Sequence, residues 1–170
     1  MRVYLPSTLS GLRMLLNSGE FGTPPVPGFA VTAPLREWYA EGDEEELEYA
    51  ALTLAARASI RLLDRELVLD PAAPARRVVV VADVSATGAV ELAPDVDRAA
   101  VRVVDAVALR LVQAVHVDDP SAEADVRAAA EQLVEADLGS EDAAFTVEQA
   151  EGHELQWYAT QEIGALVELA

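Results

Sequence analysis

The chain has 170 residues, of which 52% are hydrophobic, so it contains enough apolar side chains for one domain with a substantial core. Its formal net charge of −18 would repel the phosphates of a nucleic acid, which disfavours a nucleic-acid-binding role. Cysteine and lysine are both absent, which excludes disulfides, thiolate chemistry, Schiff-base catalysis and P-loop nucleotide binding.

The sequence also lacks the signals of a membrane or secreted protein. No apolar run reaches the length of a membrane span, and the first residues, MRVYLPSTLSG, have neither the long apolar stretch nor the cleavage site of a signal peptide. We therefore expect a cytoplasmic protein that has no membrane contact and needs no cofactor.

Strand and helix signals alternate along the chain. Ser7 or Thr8 can cap a first helix that Gly19 ends, and Pro34 is well placed at the start of a second, short helix that Gly42 breaks. Apolar runs between the turn signals predict strands, with a loop at residues 22–28. The predicted strands are residues 2–5, 29–32, 76–84, 99–104, 114–119 and 144–147.

A long helix is predicted from Asp43 to about Arg65. Asp43 and Glu46 have the spacing of a capping box, and the acidic run also suits the positive end of the helix dipole. Its polar residues form one narrow stripe, so the helix is either buried on more than one side or faces another subunit. The stripe consists of Thr53, Arg57, Arg61 and Asp64.

The second half predicts a central hairpin followed by alternating strands and helices. The valine-rich strand at 76–84 would pair antiparallel with 99–104, with a turn at 85–88. Asp119 would cap a helix that ends before Gly139, and a last helix would span 152–169.

The tripeptide WYA occurs twice, at 38–40 and 157–159, and each copy follows a predicted strand that begins with Phe. We interpret this as two β-α-β-α units with parallel strands, in residues 1–66 and 113–170, around the hairpin at 76–104. A competing alignment matches ELEY at 46–49 to ELQW at 154–157, and chance similarity is the third possibility. The predicted fold is α/β or α+β: a single domain, residues 1–170, with a mixed sheet of five to six strands and packed helices.

Several segments carry a resemblance to a known group of proteins. MRVYLP, LREWYA, GDEEELEYAAL, AARASIRLL, AVHVDD and HELQWYATQE, which extend over nearly the whole chain, resemble a family of uncharacterised actinobacterial proteins of about this size. The resemblance implies a single-module protein. It assigns no catalytic residue, because none is established for that family.

Three aspartates follow predicted strands and are the candidates for chemistry. If the strands ending near Asp83 and Asp118 are parallel neighbours, these carboxylates and Asp119 would converge and suit Mg²⁺ or Ca²⁺. The alternative, which we favour, is that Asp119 caps a helix, Asp118 ends a strand, and no metal is bound. His116 and His153 lack metal-ligand spacing and are expected to be structural.

Both tryptophans lie beside acidic residues, and we expect their rings to fill the core, with an exposed aromatic pair as the alternative. The function predicted is non-enzymatic: protein-protein contact with a partner, or a homodimer in which Arg57 or Arg61 meets Glu48 of a second chain. The alternatives are a metal-dependent or small-molecule enzyme and an acidic mimic of nucleic acid. The predicted interaction surface consists of Trp38, Tyr39, Glu44, Glu45, Glu48, Tyr49, Arg57, Arg61, Trp157 and Tyr158.

Overall fold

A computed structural model of the chain describes residues 1–84 and 90–170; the turn predicted at 85–88 lies outside the described residues. The chain forms one α+β domain. Its strands are β1 Arg2–Ser7, β2 Glu20–Phe21, β3 Val26–Ala30, β4 Val78–Asp83, β5 Val90–Leu92, β6 Ala100–Val103, β7 Val107–Ala108, β8 Val112–Asp118 and β9 Leu155–Ala159. Its helices are α1 Leu9–Ser18, α2 Ala33–Trp38, α3 Glu44–Leu69, α4 Glu123–Asp137, α5 Glu141–Glu151 and α6 Ile163–Glu168.

Seven strands form the main sheet, in the order β5-β6-β3-β1-β4-β8-β9, and every described pairing in it is antiparallel. β2 and β7 form a separate two-stranded ribbon. No helix of the described residues has the length and apolarity needed to cross a bilayer.

The sheet is covered on both faces where its interior strand β4 runs, and this strand has no solvent-facing side. Val78, Val79, Val80 and Val81 of β4 are all 5% exposed or less, which explains why this strand shows no polar alternation. On one face, Val78 and Val80 join a core with α1 and α6. On the other face, Val79 and Val81 pack against α3.

The predicted starts of α1 and α3 are confirmed. Thr8 caps α1 by accepting a hydrogen bond from the Gly11 amide (3.2 Å), and Gly19 ends it in the left-handed conformation. Asp43 accepts from the Glu46 amide (2.9 Å) while the Glu46 carboxylate accepts from the Asp43 amide (3.2 Å), so both halves of the capping box are present.

Helix α3 is buried on two sides within the chain. One side lies on the sheet, and Ile60 and Leu63 pack against α4 and α5 on another. Ser59 fastens the helix to the sheet, because its hydroxyl donates to the Ser7 carbonyl (2.7 Å) and accepts from the Val78 amide (3.0 Å). The sequence analysis left open whether the second apolar side of α3 faces another subunit. In the structure, α4 of the same chain covers much of that side.

The predicted parallel, mixed sheet and central hairpin are wrong. β4 pairs with β1 and β8, whereas β6 pairs with β5 and β3. A strand that is apolar on both faces needs a neighbour on each edge and helices on each face, so β4 takes an interior position between β1 and β8 rather than one arm of a hairpin.

The predicted elements of the last third also need correction. Residues 144–147 lie inside α5, where Ser140 caps the helix and Ala143, Val147 and Ala150 are buried at helical spacing. Residues 155–159 form β9 rather than part of a helix. The first WYA tripeptide begins at the last residue of α2, whereas 157–159 lie in β9, so the two tripeptides do not occupy equivalent places and the alignment based on them fails.

The capping box of α3 generates a stability prediction. Asp43→Ala removes the acceptor for the Glu46 amide and should lower the free energy of unfolding by about 1 kcal/mol. Asp43→Asn, which keeps a side-chain oxygen at the cap, is the matched control and should lose much less. Urea denaturation of both variants measures the difference, and equal stability of the alanine and wild-type chains would contradict a capping role.

Candidate functional site

The candidate site is a cavity of about 500 Å³ where the sheet extends past α3. Its floor contains Ala114 and His116 of β8, Trp157 of β9, Val81 of β4 and Tyr4 of β1. These strands are neighbours in the sheet, so the antiparallel register brings residues far apart in sequence to one spot. His116 and Trp157 are directly opposite each other in the β8–β9 pair.

Helix α3 forms the wall of this cavity. Glu45 and Tyr49 are four residues apart, as are Glu48 and Leu52, and positions at this spacing share one helix face. Glu48 is held by Arg2, whose guanidinium lies 3.2 Å from its carboxylate. The cavity therefore has aromatic and apolar walls with carboxylates at the helix side.

A β-bulge adds one polar group to the rim. The β4–β8 register shifts between Val81 and Ala82, so Gln113 is an extra residue without a partner in the register. Val112 and Val115 both face the main core, and the bulge between them lets Gln113 join Ala114 at the cavity.

Two titratable groups in the floor are perturbed. Burial raises the pKa of the Tyr4 phenol, which is 5% exposed and lies beside Arg2. Burial lowers the pKa of the half-buried His116 imidazole, so this ring is neutral at pH 7. Within residues 1–84 and 90–170, no side-chain hydrogen bond to the His116 ring is found, and its nitrogens are available to a ligand.

A second cavity of about 470 Å³ lies on the other side of α3, against α2. Trp38 and Tyr39 contribute its aromatic lining, and the guanidinium of Arg98 stacks 3.7 Å from the centre of the Trp38 ring. Glu46 and Asp97 supply carboxylates.

Tyr49 lines both cavities, so they form one continuous surface that crosses the outer side of α3. We call the four exposed aromatic residues on it the aromatic belt: Trp38, Tyr39, Tyr49 and Trp157, which are 61%, 47%, 63% and 62% exposed. The expectation that both tryptophan rings fill the core is wrong. Trp157 lies on an edge strand and Trp38 at the end of a six-residue helix, where few neighbouring elements are available to cover a ring.

Other residues of the predicted interaction surface lie apart from the belt. Glu44 is bound by Arg36 through two hydrogen bonds (2.7 and 2.9 Å), which lower the pKa of its carboxyl group. Tyr158 points to the opposite face of the sheet from Trp157, because side chains alternate along β9, and it packs against the main core.

The two arginines assigned to a subunit contact are engaged within the chain. Arg57 binds Glu151 (2.5 Å) and Asp137 (3.3 Å), and Arg61 binds Asp137 (2.7 Å). The hydrogen bond from Arg61 lowers the pKa of the Asp137 carboxyl group. These contacts fasten α3 to α4 and α5. Both arginines are therefore already paired within the chain, which disfavours the predicted ion pair with Glu48 of a second chain.

The three candidate metal ligands do not converge. Asp83 is opposite Arg2 and bonds the N-terminal amine (3.2 Å), whereas Asp118 lies at the other end of the antiparallel pair β4–β8. Asp118 is fully buried and receives three hydrogen bonds of 2.8 Å from Arg77, one from the backbone amide and two from the guanidinium. Asp119 accepts from the Ser121 amide, as predicted for a cap. Among the described residues, no group of three or more His, Asp and Glu side chains has the arrangement of a metal site.

Sequence reasoning missed the residues that β1 and β8 contribute to the cavity. His116 was assigned a structural role, and Tyr4 and Gln113 were not singled out. The signal that identifies them is the alternation in LQWYA at 155–159: interpreted as a strand, it puts Trp157 beside His116. His153, assigned to a helix start, lies in the turn before β9 and bonds Asp125 at 2.7 Å.

The comparisons with known proteins identify a family and no activity. A family model described as "Family of unknown function (DUF6912)" matches residues 1–167. A search of curated proteins found no match, and a search of solved structures found none either.

The buried Arg77–Asp118 pair predicts a large stability effect without any metal. Asp118→Asn leaves the 2% exposed Arg77 without its charged partner, which should cost about 3 kcal/mol or more. Asp119→Asn, which keeps its capping oxygen, is the neighbouring control and should change little. Chemical denaturation with and without millimolar Mg²⁺ tests both statements. Equal effects of the two substitutions, or a stability gain from Mg²⁺ that Asp118→Asn abolishes, would contradict this account.

Proposed function

The chain belongs to this family of unknown function, and from the aromatic belt we propose that it is a binding protein which docks a basic segment of another protein. The observation that carries the proposal is the position of four exposed aromatic side chains along two adjoining cavities in a strongly acidic protein. The proposed role is non-enzymatic, and the proposed partner is a protein.

The aromatic content supports a protein-binding surface. Scattered exposed apolar residues are ordinary, but contiguous aromatic patches rimmed by polar groups are typical of interaction sites. Trp and Tyr are enriched at the centres of protein interfaces, where they bury much area at a small cost in conformational entropy. Trp157, Tyr49 and Trp38 have this character.

The charge of the protein selects the partner. Glu45 and Glu48 line one cavity and Glu46 and Asp97 the other, so each side of the belt has acidic groups beside its rings. A net charge of −18 attracts a basic segment at long range and speeds its association at low salt. An acidic partner would be repelled by the same field.

A second copy of the chain fits this surface less well than a basic partner. Two chains would each bring a charge of −18, and Arg57 and Arg61 are occupied within their own chain. The acidic mimic of nucleic acid would also bind a basic protein, but its contacts would be carboxylates rather than rings. The strand-end aspartates lie apart, which leaves the metal-dependent enzyme with no common site for them.

Selection of peptides tests the proposal. Random twelve-residue peptides displayed on phage are selected on the immobilised protein and counter-selected on Trp157→Ala. We expect the selected peptides to be enriched in Arg or Lys together with apolar residues. Since the chain has only two tryptophans and both lie on the belt, synthetic copies of these peptides should change its intrinsic fluorescence.

Alanine substitutions then locate the binding surface. Tyr49→Ala and Trp157→Ala should each weaken binding roughly tenfold or more, as expected for residues at the centre of an interface. Phe145→Ala is the matched control, because Phe145 is as exposed as Tyr49 but lies on α5. Raising the salt concentration to about 0.5 M should also weaken binding.

Three outcomes would overturn the proposal. They are selected peptides without basic residues, a loss on Phe145→Ala equal to that on Tyr49→Ala, and binding that depends on acidic residues but not on the rings. Light scattering distinguishes a homodimer from a monomer. If the mass is twice 18.1 kDa and Tyr49→Ala reduces it to that of one chain, the occupant of the belt is a second copy rather than a basic partner.

A further inference from the structure

The geometry points to an arginine-binding subsite in the cavity between Trp157 and α3, which takes the guanidinium group of the partner. This inference rests on the proposed function, because it names the side chain that anchors the basic segment. A small guanidinium compound has the same chemistry, which allows the subsite to be tested separately.

The size and shape of the cavity suit a side chain rather than a flat contact. A volume of about 500 Å³ lies within the range of small-ligand sites and leaves room for an arginine side chain with part of its backbone. Trp157 and Tyr49 provide aromatic faces on the strand side and the helix side. A planar guanidinium gains from stacking on such faces, and Trp gives the strongest cation–π attraction.

The second cavity shows the same chemistry within the chain. There, the Arg98 guanidinium stacks on Trp38 at 3.7 Å from the ring centre. Trp157 has no such contact with an arginine in the described part of the chain, although it is equally exposed. One tryptophan therefore already has its cation, and the other faces an open cavity.

Acceptors are available to the guanidinium donors. Glu45 makes no ion pair with a described residue, whereas Glu48 is bound to Arg2. The neutral His116 ring offers a nitrogen lone pair, and Gln113 offers its amide oxygen at the rim. An ammonium group has fewer donors and no plane to stack, so arginine fits this set better than lysine. An anion would be repelled by Glu45 and Glu48, and Arg2, the cation that lines the cavity, is already paired with Glu48.

His116 makes binding depend on pH in a defined direction. The group is neutral above its lowered pKa and becomes a cation below it, so acidification places a positive charge on the cavity floor and repels the guanidinium. Binding should be strongest at pH 7 and weaken as the pH falls through the lowered pKa of His116, below the ordinary imidazole value of 6.5. The charged and titratable groups facing the ring are Arg2, Tyr4, Glu45, Glu48 and Tyr49. His116→Gln keeps an acceptor but does not titrate, and it should remove the pH dependence over this range.

The experiment uses the full chain labelled with 5-fluorotryptophan and observed by ¹⁹F NMR. The two tryptophans give two signals, assigned with single Trp→Phe variants. Titration with Nα-acetyl-arginine amide should shift the Trp157 signal saturably while the Trp38 signal stays unchanged, because Arg98 already occupies the cation position over that ring. The citrulline counterpart, which has the same shape without the charge, should produce no shift, and the lysine counterpart should bind several-fold more weakly.

Neighbouring carboxylates provide the matched pair of variants. Glu45→Gln should weaken binding of the arginine amide roughly fivefold, since it removes the available carboxylate. Glu44→Gln should leave binding unchanged, because that carboxylate is held by Arg36 and lies outside the cavity.

The outcomes separate this inference from the proposed function. If basic peptides bind but the arginine amide does not shift the Trp157 signal, the inference of an arginine subsite is wrong and the docking role stands. If the arginine amide binds and no basic peptide does, the subsite stands as a site for a small guanidinium ligand and the docking role fails. Equal shifts with the citrulline compound, or an equal loss on Glu44→Gln, would also overturn the subsite.

Discussion

The structure depends on the burial of strand β4 on both faces. Its four consecutive valines leave no side for water, so the sheet must be covered by α1 and α6 below and α3 above. Antiparallel neighbours β1 and β8 then satisfy both of its edges. Ser59 and the Arg77–Asp118 pair lock the cover in place at one end of β4, where buried polar groups are all hydrogen-bonded among the described residues.

The same constraint creates the cavities. A single helix lying over the centre of a seven-stranded sheet is too narrow to cover its flanks, since an α-helix is about 10 Å wide and strands are spaced by about 4.8 Å. The α4–α5 hairpin covers the flank beside the second half of α3, and α2 covers part of the opposite flank. Two gaps remain open on either side of the first half of α3, and the aromatic belt fills them only in part.

Local signals in the sequence predicted the parts of the fold that depend on local physics. Thr8, Gly19 and the Asp43–Glu46 pair act within a few residues, and the structure has each in its predicted role. Strand order depends on packing between apolar faces that are far apart in sequence. The repeated WYA tripeptide is a local pattern, and the strand arrangement predicted from it was wrong. The same residue types serve a helix end at Trp38 and an edge strand at Trp157, because aromatic residues suit both environments. Of the residues that line the first cavity, the sequence analysis named Glu45, Glu48, Tyr49 and Trp157 for an interaction surface. It could not place His116 beside Trp157, because that contact depends on the β8–β9 pairing.

The contacts of the arginines within the chain support the proposal of a basic partner. Most of the twelve are used inside the chain: Arg77 neutralises a buried aspartate, Arg57 and Arg61 tie α3 to its neighbours, and Arg13 and Arg127 bond backbone carbonyls. The acidic residues outnumber them by 30 to 12, so the positive charges are consumed by structure while carboxylates remain at the surface. The aromatic belt lies within this negative field, and its rings attract cations for the independent reason of their quadrupoles. Both effects favour the same occupant, and at Trp38 the protein already supplies one itself with Arg98. At Trp157 the cavity has an aromatic ring and carboxylates but no stacked arginine among the described residues, so in the proposed subsite the cation would come from outside the chain.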